Sequence, residues 1–489
     1  MTHSLPGVSG MALYLPELEV RLSDWCEWTG GNWPKVQAVV GESFRRPAPH
    51  ENVYTMAANA ALRLIRAYEL DPRDIGMLAL GTESSTDNSA GAVIVRGMLD
   101  RALDRLGMPR LSRRCEVPEL KHACLGGMYA LKGALRYVAT DGADRQAIVI
   151  CADIAEYERG SSGEQTQGAG AVAMLVEREP KLFAVDLGRA GSASDYRGPD
   201  FRKPIARYFA PGYAETVGRL HDFPIFSGRY STYAYLEETV RAFESLVDAE
   251  HTGPLELFER ARALFFHRPY AHMPISALAF LWVRALAASR PDDPALGRWC
   301  DEAEVSVEAM QAELGARPDL YAEVLDGQTT DPFPITSAVA GKARRSEAFR
   351  TFVAAKMMLG DRQTRHFGNL YTAALPAWLA AGFEDALERD VELVGAPLYA
   401  IGYGSGDAAE AWPLRAVEGW RDAAAKIGVA AAVEGSRVID RAQYEALHDH
   451  GAATGLGEPP RDRFVITHVG ERYEDAFQDL GVEYYDYAE

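Results

Sequence analysis

Apolar residues along the chain gather into short solid runs, separated by longer stretches in which they recur every three or four positions. A run without polar interruption suits a strand covered on both faces, and the wider spacing suits a helix with one buried stripe. Val8 to Tyr14 reads as a strand and Val53 to Tyr68, rich in Ala, Leu and Arg, as a helix. The alternation continues with Ile75 to Gly81 (IGMLALG) as a buried strand, then Ala90 to Leu106 and Gly126 to Val138 as helices. Ala147 to Ala152 (AIVICA) and Gly168 to Val176 (GAGAVAMLV) are two further buried strands. Strands buried on both faces and alternating with helices predict a layered α/β architecture. From about Gly253 to Leu325 the chain turns helical, with Leu255 to Phe266, Ile275 to Ser289 and Asp301 to Leu314 free of internal Pro and Gly. The strand signal returns at Leu398 to Gly402, ahead of the turn GYGSG, and once more at Arg463 to His468.

With 489 residues, 47% of them hydrophobic and 25% charged, the chain has ample material for a large folded core and too much apolar content for disorder. At this length folding buries roughly three quarters of the unfolded surface, in a core divided between lobes with room for a cleft. The 51 Lys and Arg stand against 70 Asp and Glu, a net charge of -19 without a long basic run, which argues against nucleic acid as a partner. No stretch of about 18 uncharged apolar residues appears. The start MTHSLPGVSG also lacks the plan of a signal peptide. A cytoplasmic protein with no membrane partner is the expectation. The five cysteines (Cys26, Cys115, Cys124, Cys151, Cys300) are scattered without CxxC spacing, which suggests neither a disulfide framework nor a zinc or other metal site.

One cysteine stands apart. Cys124, in KHACLGGMYALKGAL, precedes two glycines that open an apolar helix, and a helix N-terminus lowers a thiol pKa through its dipole and free N-H groups. A buried structural cysteine is the plainer reading of that residue alone. A thiolate that carries an acyl group needs a proton shuttle, donors to the thioester oxygen and a base for carbon. His267 follows the apolar ALFF and precedes a Pro-fixed turn; a structural histidine is the alternative. Asn369, in FGNLYTAALP, stands where a helix cap is also expected. Glu83, in GTESSTDNS, leaves the end of an apolar strand, where ligands of α/β proteins bind. The run Gly402-Tyr403-Gly404-Ser405-Gly406 offers flexible backbone N-H groups after a strand, as an oxyanion site or as a tight turn.

Together these segments resemble the 3-hydroxy-3-methylglutaryl-CoA synthase family of the thiolase superfamily. The likeness covers roughly residues 7 to 412 and runs through ALYLPELEV, VYTMAANAAL, LGTESSTDNS, CEVPELKHACLGG and CADIAEYERGSSGEQTQGAGAVAML. It continues through DFRKP, SGRYSTYAYLE, FFHRPYAHM, GNLYTAALP and GYGSGDAAE. The resemblance implies a thiolase-like αβαβα sandwich of two similar halves, usually a homodimer. It divides the chain into a half over 1–178 carrying Cys124, a half over 179–418 with a helical insertion at about 253–325, and an extension over 419–489. It implies that Cys124 takes acetyl from acetyl-CoA and that Glu83 deprotonates the acetyl methyl. The carbanion then attacks the 3-carbonyl of an acetoacetyl thioester held by His267 and Asn369, and hydrolysis frees the product. Backbone N-H groups at Cys124 and Ser405 match the oxyanion donors, while Asp87, Asp153, Tyr157 and Asp200 align with polar positions lining the site. No bound cofactor is implied; the substrates are acetyl-CoA and acetoacetyl-CoA, or the same groups on an acyl-carrier protein.

Two departures qualify the likeness. Where many members carry lysines after the site histidine, this chain reads HRPYAHMPISALAF, with His272, Ile275 and Ser276, so cations for a phosphate-rich coenzyme are missing locally. Arg45, Arg46, Arg202, Lys203, Arg229 and Arg268 are candidates for a replacement patch. The residues after about 412 also run past the family's usual end. Competing readings are an acyltransferase or Claisen-type condensing enzyme of secondary metabolism on the same scaffold, and a non-catalytic subunit of a condensing complex. Joint presence of Glu83, Cys124, His267 and Asn369 argues against the last, and a carboxylate after Gly81-Thr82 favours the aldol-type synthase over the Claisen type.

Overall fold

The computed structural model describes residues 5–202, 224 and 227–488. Among the described residues ten strands form one mixed sheet, and Phe183–Val185 joins its two parts: it pairs with Gly7–Tyr14 on one side and with Ala408–Ala416 on the other. From Gly7–Tyr14 the order runs outward through Gly168–Glu177, Gln146–Ala155 and Ile75–Gly81 to the short Glu119–Leu120. From Ala408–Ala416 it runs through Pro397–Gly404 to Ala263–Phe266, with Gly191–Ser194 also pairing with Ala408–Ala416. The pairs Ile75–Gly81 with Gln146–Ala155, and Ala263–Phe266 with Pro397–Gly404, are parallel. The predicted buried strands are therefore all present, each covered on both faces as its unbroken apolar run requires.

Helices supply the covering layers. Val53–Ala67, opened by a capping box between Asn52 and Thr55, packs with Gly91–Arg105 on the face holding one core cluster. Gly126–Ala139 and Ala374–Glu388 belong to the larger core cluster and lie between the two halves of the sheet. Gly402 marks the close approach: a Cβ there would meet Met128 Sδ at 2.0 Å, so a strand of the C-terminal half touches the helix that follows Cys124. Arg229–Ala249 covers the outer face of the second half, and His272–Ser289 packs among the helices outside the sheet, against Arg229–Ala249, Pro254–Arg260 and Pro334–Ala343. His272–Ser289 is long and apolar enough to cross a bilayer, yet 67% of it is buried inside the fold.

Three expectations change. Leu255 to Phe266 is not one helix: Pro254–Arg260 is helical, and Ala263–Phe266 is a strand because its four apolar residues are buried alongside Pro397–Gly404. Asp301 to Leu314 splits into Pro294–Glu302 and Val307–Glu313, since the Ser306 side chain accepts from Ala309 N and starts a new helix. The helical block also continues past 325, through Pro334–Ala343 and Glu347–Lys356.

Residues 419–488 are built into the body of the fold. Trp420, Ala424 and Val429 belong to the large core cluster, and Phe464 and Tyr487 to the second. Tyr444 and Leu447 belong to a third cluster with Trp25 and Phe44. Helix Arg441–His450 reaches the loop after Gln146–Ala155, where His448 Nε2 lies 2.8 Å from the Tyr157 carbonyl and Tyr444 donates to Glu164 at 2.7 Å.

Candidate active site

Cys124 stands one residue ahead of Leu125, the N-cap of helix Gly126–Ala139, and the loop that presents it is held by glycine contacts. A Cβ on Gly404 would sit 2.6 Å from the His122 carbonyl oxygen and 2.8 Å from Leu125 N, so only glycine lets the GYGSG turn press on the nucleophile loop. Ala123, with φ +41°, takes the left-handed region that residues with a Cβ seldom adopt. The turn bearing Asn369 is seated in the same way: Gly368, with φ +73°, bridges to Gly168 at the start of a strand. Backbone contacts thus bring three chain segments to one point.

That point is a cavity of about 120 Å³ lined by Cys124, Tyr157, His267, Asn369, Tyr371 and Ser405, among others. His267 ends strand Ala263–Phe266, its N-H bonded to the Ile401 carbonyl at 2.7 Å. Burial lowers its imidazole pKa to about 3, so it lines the cavity as a neutral ring. Asn369 Nδ2 donates to the Tyr157 hydroxyl at 3.4 Å, and its Oδ1 accepts from Tyr371 N at 2.9 Å, a turn bond rather than the expected helix cap. Helix Ala374–Glu388 starts only after the short turn Tyr371–Ala373.

Glu83 reaches this centre from the side. Its carboxylate is within hydrogen-bonding reach of the Cys124 thiol and opens onto a second cavity of about 380 Å³ that shares Tyr371 with the first. Asp153 fixes the loop that carries it: fully buried, this carboxylate accepts from Thr82 Oγ1 at 2.9 Å, Glu83 N at 2.8 Å, Ser84 N at 2.9 Å and Thr372 N at 3.0 Å. Burial raises the Asp153 pKa, and these donors offset part of the rise.

Four site expectations are revised by this geometry. The Cys124 thiol pKa is not lowered: burial first, then the charges of Glu83 and Asp153, raise it well above the usual value and outweigh the helix N-terminus. Asp153 does not line the cavity but stands behind it as the anchor just described. Asp200 is also buried behind the wall, accepting from the Tyr403 hydroxyl at 3.3 Å, with its pKa raised by burial. Asp87 is exposed at a separate cavity with Thr86, Met98 and Arg101, where it accepts from the Tyr54 hydroxyl. Of the suggested basic patch, Arg45, Arg46 and Arg268 are buried and committed, the last two to Glu156 at 2.6 Å and Asp361 at 2.8 Å. Arg202 and Arg229 are exposed, and Lys203 lies outside the described residues.

The structure adds an aromatic wall that sequence reasoning did not single out. Tyr371 and Phe201 meet Tyr157 edge to face with centroids 6.3 and 6.1 Å apart, and Tyr235 packs against Tyr403 at 4.9 Å. Their only sequence signal was proximity to Asn369 and Asp200 and membership of the same quoted motifs.

The architecture and motifs agree with independent comparison. Residues 4–181 match the family model for the N-terminal part of hydroxymethylglutaryl-coenzyme A synthase. A hydroxymethylglutaryl-CoA synthase of Haloferax volcanii is 28% identical over 88% of this chain and 89% of its own length. MvaS, solved in complex with 3-hydroxy-3-methylglutaryl coenzyme A, superposes with a TM-score of 0.75 at 25% identity, covering 99% of each chain. The chain is thus similar to hydroxymethylglutaryl-CoA synthases along its length, and its N-terminal part matches that family's model. Its fold is thiolase-like, as in the MvaS structure, and because the superposition spans 99% of both chains, the residues after 412 lie within the architecture it shares with MvaS. The same fold, at 18% identity and a TM-score of 0.68, is that of the curacin-pathway HMG synthase solved with a holo donor-ACP.

Proposed function

We propose that this chain is a hydroxymethylglutaryl-CoA synthase-like condensing enzyme, an acyltransferase that converts acyl groups into alkyl on transfer. Cys124 carries an acetyl group as a thioester. Because the resting thiol is neutral, its proton leaves as the thioester forms and goes to the departing coenzyme thiolate, so the Glu83 carboxylate beside it stays ionised for the next step. Glu83 then removes a proton from the acetyl methyl, and backbone N-H groups at Cys124 and Ser405 hold the enolate oxygen. The carbanion adds to the 3-carbonyl of an acetoacetyl thioester, which Asn369 and neutral His267 orient by hydrogen bonds. Water finally cleaves the product from Cys124, restoring the thiol. The aromatic wall keeps the carbanion step dry, which strengthens each of these polar contacts.

The observation that carries this reading is the convergence of Cys124, His267, Asn369 and Ser405 on one buried cavity with Glu83 against the thiol. A homodimer in the cytoplasm, using substrates in solution and no bound cofactor, accompanies the reading on the strength of the family resemblance. The test is to supply acetyl-CoA labelled in the acetyl group together with acetoacetyl-CoA and follow products by mass. The reading predicts a six-carbon branched product carrying one labelled acetyl unit; label recovered only in exchanged thioester or in a linear Claisen product would place the chain with the simple acyltransferases instead.

A further inference from the structure

The helix that begins at His272 starts at the rim of the cavity, with Pro269, Tyr270 and Met273 in its lining. Against that helix packs Pro334–Ala343, whose last turn leads into Arg344. Arg344 reaches back across the gap, with Nη1 2.8 Å from Ser276 Oγ and 3.2 Å from His272 Nε2. Both partners are uncharged: Ser276 is a hydroxyl, and burial together with Arg344 itself holds His272 below its usual pKa. Among the described residues no carboxylate pairs with Arg344, nor with its neighbours Lys342 and Arg345. A half-buried guanidinium with no counter-charge, beside two more unpaired cations in a chain of net charge -19, is electrostatically incomplete.

We propose that Arg344, assisted by Lys342 and Arg345, is an anion site that holds the phosphate of the incoming acyl thioester. This rests on the acyl-thioester reading above. A phosphopantetheine thioester carries its phosphate at one end of a flexible arm and its acyl group at the other, so the phosphate can rest at the rim while the acyl group reaches Cys124. Arg344 provides a planar fork suited to phosphate oxygens, and Ser276 adds a neutral donor beside it. The plain alternative is a clasp between two helices, with Arg344 complementing the dipole at the C-terminus of its own helix.

The experiment is calorimetric binding of coenzyme A to the wild type, Arg344→Gln and Arg345→Gln, run beside acylation of Cys124 by acetyl-CoA, an acetylated carrier protein and phosphate-free acetyl-pantetheine. Arg344→Gln should weaken coenzyme A binding about tenfold or more, the loss expected for one charge-assisted bond, and Arg345→Gln less. Acylation by acetyl-pantetheine should stay within about twofold of wild type. Whichever phosphate-bearing donor loses more in Arg344→Gln identifies the source, coenzyme or carrier protein. Unchanged coenzyme A binding in Arg344→Gln, or an equal loss with acetyl-pantetheine, overturns the anion site and leaves the clasp. If no donor acylates Cys124, the condensing reading fails while the binding measurement still decides the site.

Discussion

At Cys124 the structure sets two influences against each other, and burial wins. The helix that follows favours a thiolate, but burial, with Glu83 and Asp153 close by, keeps the proton on sulfur. In the proposed reaction Glu83 works on the carbon acid, and the prediction is a separation of steps. Glu83→Gln should still form acetyl-Cys124, detectable by mass, but lose condensation by roughly 10²-fold or more; near-normal product formation would move the base elsewhere. His267 gives a pH prediction. Its folded pKa of about 3 lies below the unfolded value, so the folded state binds fewer protons. Its contribution is then complete above about pH 6.5 and is lost as pH falls toward 3, at no more than about 1.4 kcal/mol per pH unit. Denaturant unfolding at pH 7 and pH 4 should show a smaller pH penalty in His267→Asn than in the wild type, and an equal penalty would mean the imidazole is not held neutral. The candidate residues were legible because each follows an apolar strand or opens an apolar helix. The direction of the Cys124 shift was not, because it depends first on burial and then on carboxylates about forty and thirty positions away in sequence, both of which only the fold creates.

Among elements, the central strands could be read directly, since a run such as IGMLALG is apolar on both faces and has one place to go. Ala263–Phe266 was misread as the end of a helix because four apolar residues carry no period of their own; its parallel partner Pro397–Gly404 lies more than a hundred residues away. Asp87 and Asp153 show the same limit. Both are acids in loops or at strand ends near the chemistry, yet one faces solvent and the other anchors two backbone segments from behind. Asp153→Ala strands several buried donors and should cost about 3 kcal/mol or more, read as a lower urea midpoint at unchanged slope. A loss below about 1 kcal/mol would show that water replaces the carboxylate. The GYGSG turn yields a further prediction. Gly404→Ala pushes a methyl into the His122 carbonyl and Leu125 N, so it should cost about 1–3 kcal/mol and slow acylation of Cys124. Wild-type acylation in a folded variant would detach the turn from the nucleophile loop.

For the molecule as a whole, the layered α/β plan was visible in the alternation of elements, whereas the place of residues 419–488 was not. Apart from the strand at Arg463 to His468, their apolar positions are too sparse to announce a core element, and they complete three clusters founded by distant segments. Trp420, 1% exposed and packed edge to face on Phe383 at 5.9 Å, represents that dependence. Trp420→Ala should lose about 3–5 kcal/mol by denaturant titration, and a neutral result would make the segment a dispensable appendage after all. Through His448 and Tyr444 the same segment also steadies the loop bearing Tyr157, so the wall of the cavity depends on the last seventh of the chain. Everything in the functional account passes through one covalent step, and intact-protein mass measurement after brief exposure to acetyl-CoA tests it directly. The account predicts one added acetyl group on the wild type, mapped to Cys124, and none on Cys124→Ser. An unmodified wild type, or acetyl mapped to the fully buried Cys151, would contradict it.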